Sequence, residues 1–361
     1  MTRMSSNRTE YFSPSRLKEF CSAVLQKLEI PPRDADLITE ALVRANLRGV
    51  DSHGVIRMPV YVERLKKGLV NPKPRIAILR ETPAMALMDG DNGSGQVVAA
   101  RAMELAMAKA KEGGVGLVGI RNSTHFGATA FFTMMALKKE MIGIAIANSY
   151  ATVAPWGSRA PYFGTNPMSI AVPAGQELPV VLDMATSVAA WGKIILAAKK
   201  GESIPAGWAI DSDGEVTTDA SKALKGALLP FGGPKGSGIA LLIDVLAGVL
   251  TGAAFGPYVG DLYKNMERPQ GVGQMLGAID ISWFSDVDEF KNRMDRMIQE
   301  IKSVPSAKGV SEVLLPGEIE VRTQQQREAE GISLTPAMIN DLYQLGLEFG
   351  IPWCGAPPPA H

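Results

Sequence analysis

The chain has 361 residues, 46% hydrophobic and 20% charged, with 37 Gly and 24 Pro, a globular composition that excludes disorder and collagen and, at roughly 100–200 residues per domain, predicts about two domains. Lys plus Arg equals Asp plus Glu at 37 each, so no net field exists to gather a nucleic acid or an anionic membrane surface, and neither is expected as a partner. Two cysteines, Cys21 and Cys354, build neither a disulfide framework nor a thiolate zinc site, and the opening MTRMSSNRTEYF has no apolar secretion core; a reducing, cytoplasmic setting is expected.

Ser13-Pro14 predicts a helix start, with Leu17, Phe20, Val24 and Leu28 on one face until Pro31-Pro32. A second helix carries Leu37, Ala41, Ala45 and Arg48 and closes at Gly49. Asp51-Ser52-His53-Gly54 then feeds a segment helical from about Val55 to Gly68, in which Pro59 must sit early. Only three histidines are present and His361 is terminal, so His53 and His125 are the imidazoles available for proton transfer near neutral pH. If the helix holds from His53, the i,i+4 spacing sets Arg57 beside it, a pairing suited to a carbonyl next to a carboxylate. A capping turn with a satisfied imidazole is the bland alternative.

From Ala84 the pattern changes. A strand over 84–88, a turn at 89–93 and a helix over 96–111 are followed by apolar runs at 115–121, 141–147, 168–172 and 180–182 that alternate with helices at 128–139 and 187–200. This rhythm predicts an α/β sheet covered by helices. Gly93-Ser94-Gly95 lies where a dinucleotide fingerprint would, but Val98 occupies its third small position, so the stretch reads as a turn. Asn122-Ser123-Thr124-His125-Phe126-Gly127 follows a strand and opens a helix, a place for an anion or simply a cap. Asp183 ends a buried strand, where it could orient an imidazole, bind a ribose hydroxyl or cap the next helix.

The stretch 200–228 reads as a polar surface excursion. In Phe231-Gly232-Gly233-Pro234-Lys235-Gly236-Ser237-Gly238, glycines, a helix start and one lysine favour phosphate binding over mere flexibility, although the Walker order is absent. The run Ile239 to Leu250 is interrupted by Asp244 and is shorter than the ~20 residues that span a bilayer; it reads as a buried helix. A strand at 278–284 follows, then a helix capped by Ser285 with Phe290, Met294, Met297 and Ile301 on one stripe, a last helix from Thr335-Pro336, and an irregular GAPPPAH tail.

Taken in order between about residues 15 and 350, LRGVDSHGVIRMPVYVERLKKG, STHFG, ANS, FGTNPMSIAVP, VLDMATS, GGPKGSG and LLPGE resemble the type-2 malate/L-lactate dehydrogenase family, which also contains sulfolactate, ureidoglycolate, diketogulonate and cyclic-imine acid oxidoreductases. The resemblance implies a homodimer that uses NAD or NADP. It implies an α/β fold with a non-Rossmann, mixed-sheet nucleotide-binding domain over 119–284 and a mainly helical domain from 1–118 plus 285–361 for substrate and dimer contacts. By the same matching, His53 is the proton donor/acceptor with Ser52 and Asp183 as relay partners. Arg57, Arg48, Tyr61 and Thr165 look like substrate contacts, and His125 looks like a substrate, acid/base or cofactor contact. Ser149, Asp183, Met184, Ala185, Lys235, Gly236, Pro316, Gly317 and Glu318 look like cofactor contacts, and no metal is implied. Tyr150 stands where some relatives carry Met, and 204–228 does not align.

The principal expectation is reversible hydride transfer between the nicotinamide and C2 of a small 2-hydroxy/2-oxo acid, with His53 quenching the oxygen's charge and a neighbouring carboxylate raising its pKa from near 6.5. The alternatives are reduction of a cyclic imine acid (piperideine/pyrroline-2-carboxylate), a ureidoglycolate dehydrogenase, and, from another class, a phosphate-binding transferase built on the Lys235 loop.

Overall fold

A computed structural model describes residues 10–357 apart from 265; the opening nine residues and the last four, with His361, fall outside the described residues. The chain opens with β1 (Glu10–Phe12), α1 (Pro14–Lys27) and α2 (Pro32–Leu47), then two 3-10 turns at Asp51–His53 and Val55–Arg57, and α3 (Met58–Lys66). Next come β2 (Ala77–Glu81), β3 (Met85–Asp89), α4 (Gly95–Gly113), β4 (Val115–Ser123), α5 (Ala130–Leu137), β5 (Met141–Ala147), β6 (Met168–Val172), β7 (Val180–Met184) and α6 (Trp191–Lys200). The short β8 (Ala209–Ile210), β9 (Val216–Thr217), α7 (Ala220–Ala223) and β10 (Ala227–Leu228) precede α8 (Pro234–Ile243), which continues as a π-helical turn over Asp244–Val249. The chain then forms β11 (Val272–Asp280), α9 (Val287–Ser303), α10 (Glu318–Glu330), β12 (Ile332–Leu334) and α11 (Pro336–Phe349).

Two compact units result, one from Met1–Lys73 with Glu318–His361 and the other from Pro74–Gly317. The sequence reading set these breaks at 118/119 and 284/285. In the structure β2, β3 and α4 lie with the sheet, because β3 pairs along β4 and α4 packs on it.

The first unit is helical. Ser13 stands at the N-cap of α1 with Pro14 next, and of the predicted face Leu17, Phe20 and Val24 are buried, with Leu25 in place of the partly buried Leu28, as α1 packs on α2. A two-stranded antiparallel ribbon joins β1 to β12, and Trp353 packs against Phe12 and edge-on to Phe20 at 4.9 Å. Thr335 caps α11 by accepting the Met338 N–H.

The second unit is built on a seven-stranded sheet of order β2-β3-β4-β11-β5-β6-β7. Only β3 and β4 run parallel; the other neighbours are antiparallel. Gly116 and Gly143 lie in register on either side of Ala278, and on that face a Cβ at either glycine would overlap the Ala106 or Thr133 carbonyl. The sheet therefore carries α4 and α5 at backbone contact there. Because strand side chains alternate, Gly119 points to the opposite face, where Thr251 at the end of the α8 segment meets it. The body is thus helices, sheet, helix.

Four expectations need correction. The stretch 200–228 is not a mere excursion, because β8, β9 and β10 pair as a small sheet around Ile204, Ala209, Ala220, Ala223 and Leu228, all buried; the alternating polar residues are its solvent side. The strand placed at 278–284 runs over Val272–Asp280, ending where the Asp280 carboxylate accepts the Ser282 N–H and starts a 3-10 turn. Asp286, not Ser285, caps α9, and Ile298 rather than the 46% exposed Met297 completes its inward stripe. The Ile239–Leu250 run is buried on one face only: Ala240, Ile243, Asp244 and Ala247 face in, while Leu242, Val245, Leu246, Val249 and Leu250 are exposed. Among the described residues no helix is long and apolar enough to cross a membrane.

The α5 layer depends on Phe132, which is fully buried, stacked on Phe126 at 4.9 Å and edge-on to Phe131. Phe132→Ala should lower unfolding free energy by about 3–5 kcal/mol, read from the urea midpoint.

Candidate active site

In the helical unit the candidate residues His53, Ser52 and Arg57 lie on a short turn. Asp51–His53 and Val55–Arg57 are separate 3-10 turns, with Gly54 extended between them, so His53 and Arg57 do not share the continuous helix that the spacing suggested. Arg57 instead folds back, its Nε donating to the Ser52 carbonyl at 2.7 Å, and its charge still reaches the imidazole. The Ser52 hydroxyl and His53 Nδ1 are 2.9 Å apart. Pro59 sits in the first turn of α3, as required. Arg48 ends α2 and is buried, and Tyr61 and Arg57 are partly buried.

The expected upward shift of the His53 pKa is reversed. Burial of the ring and, second, the Arg57 guanidinium push it down to about 3. The nearby carboxylate, Asp51, is neutralised by a bidentate Arg327 pair at 2.6 and 2.9 Å, and so does not act as the imidazole's counter-charge. The resting ring is neutral, a proton acceptor.

In the sheet unit, four of the sequence motifs converge. The Asn166 amide oxygen accepts the Ser149 N–H at 3.1 Å and its Nδ2 donates to Ala240 of α8 at 2.9 Å. The Ser149 and Thr165 hydroxyls lie 3.4 Å apart, and the Thr165 carbonyl takes both the backbone N–H and the hydroxyl of Thr186. The Thr186 carbonyl in turn accepts the Phe231 N–H, which ties the Asp183-Met184-Ala185 strand end to the glycine loop. Gly232 and Gly233 are left-handed, and they deliver Pro234, Lys235 and Gly236 as the first turn of α8, with Lys235 exposed. A Cβ at Gly236 would overlap the Phe231 carbonyl, so the turn cannot be rebuilt with a larger residue.

Asp183 caps a helix, though not the following one: its carboxylate accepts the Ala130 N–H of α5 at 2.8 Å. Thr124 likewise serves α4, accepting the Gly95 N–H. The His125 backbone N–H is anchored to Gln270 at 3.1 Å. Gly93-Ser94-Gly95 is the start of α4, with Val98 fully buried behind it. At the sheet's far edge the Pro316 carbonyl accepts the Val181 N–H and Gly317, at φ 98°, packs on Val181; Glu318 opens α10 in the helical unit.

Sequence reasoning missed Asn46 and Arg327, which hold the histidine turn, and Asn148, Asn166 and Asp244, which hold the sheet-end loops. Asn148 Nδ2 donates to the buried Asp244 carboxylate at 3.0 Å and to Ala254, while its Oδ1 accepts from Gly273. Burial pushes the Asp244 carboxyl up. The signal for both asparagines was present: each stands in a quoted motif, beside an apolar strand, where a buried amide must be fully bonded. Arg327 gives no such sign, since α10 is polar on every side.

The residues fit a dinucleotide. A helix start with two left-handed glycines and a lysine offers N–H groups and charge to a pyrophosphate, and Ser149, Thr165 and Asp183 offer hydroxyl and carboxylate partners. Among the described residues no three His, Cys, Asp or Glu side chains are grouped to hold a metal.

The family model described as malate/L-lactate dehydrogenase matches residues 12–343. The L-sulfolactate dehydrogenase of Methanocaldococcus jannaschii is 42% identical, over 94% of this chain and 97% of the relative. The ureidoglycolate dehydrogenase (NAD(+)) of Escherichia coli is 36% identical over 90% of each chain. The solved malate dehydrogenase from Pyrococcus horikoshii superposes with a TM-score of 0.89 at 37% identity, covering 98% of this chain and 99% of its own.

With its pKa near 3 in the folded chain, His53 binds its proton less readily than in the unfolded chain. Its contribution to stability is complete above pH 6.5 and is lost as pH falls from there toward about 3. In NMR spectra of the cofactor-free protein the His53 ring signals should stay in the neutral position from pH 8 to roughly pH 5, whereas an ordinary histidine is mostly protonated by then.

Proposed function

This chain belongs to the malate/L-lactate dehydrogenase family, and from that premise we infer that it is an NAD(P)-dependent oxidoreductase moving a hydride reversibly between nicotinamide and C2 of a small 2-hydroxy/2-oxo acid. The carrying observation is the neutral His53 with the Arg57 guanidinium folded back onto its turn, in a chain whose sheet unit offers a glycine-framed helix start with a lysine.

Each residue's part follows from its chemistry. In the oxidative direction His53 accepts the hydroxyl proton as the alcohol becomes a ketone, since imidazole is mostly unprotonated at neutral pH and has a lone pair to offer. Ser52 engages Nδ1, fixing the ring's orientation and assigning the exchange to Nε2. Arg57, with Arg48 and Tyr61, binds the substrate carboxylate, and Thr165 and His125 contact substrate or cofactor. Lys235 and Gly236 at the α8 start hold the pyrophosphate, Ser149, Met184, Ala185, Pro316, Gly317 and Glu318 line the remaining cofactor contacts, and Asp183 binds a ribose hydroxyl or supports the imidazole. The bound nicotinamide supplies the hydride chemistry that no side chain here can supply.

We further propose a homodimer in the cytoplasm. Leu242, Val245, Leu246, Val249 and Leu250 recur at i, i+3, i+4, i+7 and i+8 and are exposed, up to 64% at Leu250; a contiguous apolar stripe of that kind is costly in water and is covered by a second copy of this chain. Cys21 and Cys354 are free thiols, consistent with a reducing compartment.

His53→Ala should depress turnover by on the order of 10²-fold or more while cofactor binding survives; the assay is absorbance at 340 nm with NADH and NADPH against oxaloacetate, pyruvate, sulfopyruvate, ureidoglycolate and piperideine-2-carboxylate. Unchanged turnover rejects the assignment. The oligomer is read by light scattering, where Leu242→Glu with Leu246→Glu should convert a dimer to a monomer.

A further inference from the structure

We propose that Arg327, on helix α10, is a positioning residue for His53 that acts through Asp51 and Asn46. The proposal rests on the reading above, in which His53 exchanges the substrate's proton.

The turn from Asp51 to Val55 is gripped at both ends. At its start, Arg327 Nη1 and Nη2 donate to the two oxygens of Asp51 at 2.6 and 2.9 Å. A two-point pair fixes the carboxylate's rotation as well as its place, which a single ammonium could not do. Arg327 Nη1 also donates to the backbone carbonyl of Asn46, so one guanidinium joins the end of α2 to the turn.

The Asn46 side chain, fully buried, completes the clamp. Its Nδ2 donates to Asp51 Oδ1 at 2.6 Å and its Oδ1 accepts the Val55 N–H at 2.8 Å. A single amide therefore holds the residues two before and two after His53. A Cβ at Gly54 would overlap this amide, so the backbone already rests on it. Within the clamped span, the Ser52 carbonyl takes Arg57 Nε and the Ser52 hydroxyl meets His53 Nδ1. The imidazole is fixed by its backbone and by one ring nitrogen, and both depend on where Asp51 is held.

The Arg327–Asp51 pair is partly buried and bidentate, a geometry that can add to stability, so its role at the turn is read from what it positions. Its consequence is geometric: displacing the base by about 1 Å is enough to cost on the order of 10²-fold in rate.

The test compares Arg327→Lys, Arg327→Ala and His53→Ala with the double variant His53→Ala/Arg327→Lys. Arg327→Lys should lower kcat at least ten-fold, leave the dissociation constant for the reduced cofactor within two-fold, and raise the solvent deuterium isotope effect as proton transfer becomes limiting. Guanidinium ion added to Arg327→Ala should restore part of the lost kcat, a rescue that a loss of folding would not show. In the His53→Ala background Arg327→Lys should have no further effect, because its target is gone. Wild-type kcat in Arg327→Lys alongside a crippled His53→Ala overturns the positioning role alone, as do equal losses in both backgrounds. Full turnover in His53→Ala overturns the reading beneath it and the proposal with it. If Arg327→Ala does not fold, Arg327→Lys decides.

Discussion

Asn166 is buried, left-handed at φ 30°, and bonded through both ends of its amide to Ser149 and to Ala240. A non-glycine residue in that region is strained, and it persists only where its surroundings over-determine it. Here they do: the next residue is Pro167, the preceding carbonyl is bonded twice by Thr186, and Gly164 has no room for a side chain against Ser149. The Ser149 loop, the end of β7 and the start of α8 are registered through this residue and its neighbours. Asn148 repeats the device one turn away, pinning the buried Asp244 at the start of the π-helical turn. Insertions of that kind are frequent at functional sites because they rotate the rest of a helix relative to its start.

The histidine turn solves a different problem. A general base must be unprotonated, oriented and yet close to charged partners. In this chain the Asp51 carboxylate is engaged by Arg327 and Asn46, while the Arg57 charge opposes protonation of the imidazole.

Much of the sheet was legible because period and punctuation agree there: Met141–Ala147 and Met168–Val172 appear as the apolar runs placed them, bounded by Gly, Pro and Asn. Failures occurred where tertiary contacts outweighed local pattern. β2 is exposed along its length and has no buried face to betray it; it exists because β3 supplies hydrogen bonds. The small sheet of β8, β9 and β10 has strands of two residues each, below any periodicity. Among the candidate site residues, the sequence singles out His53, Ser149, Asp183 and Lys235 because few residue types do such chemistry and their neighbours are turn-formers. Arg327 was not, because its partner is 276 positions away and an arginine on a polar helix is the commonest of surface features.

The α8 segment shows how the two readings of the sheet unit constrain one another. Its N-terminus carries Lys235 and the amides of its first turn, its inner face binds the sheet and Asn166, and its outer face is the leucine stripe. A helix apolar on all sides is ordinarily a core helix, and the bare composition of Ile239–Leu250 led to that expectation. The structure supplies protein on one side only. If a second copy covers the other, burying the stripe fixes the helix axis from outside while the Asn166–Ala240 bond fixes it from inside, and the anion-binding turn at its start inherits both restraints. Subunit association would then be part of how the cofactor loop is held, since a helix start is only as well placed as the axis behind it.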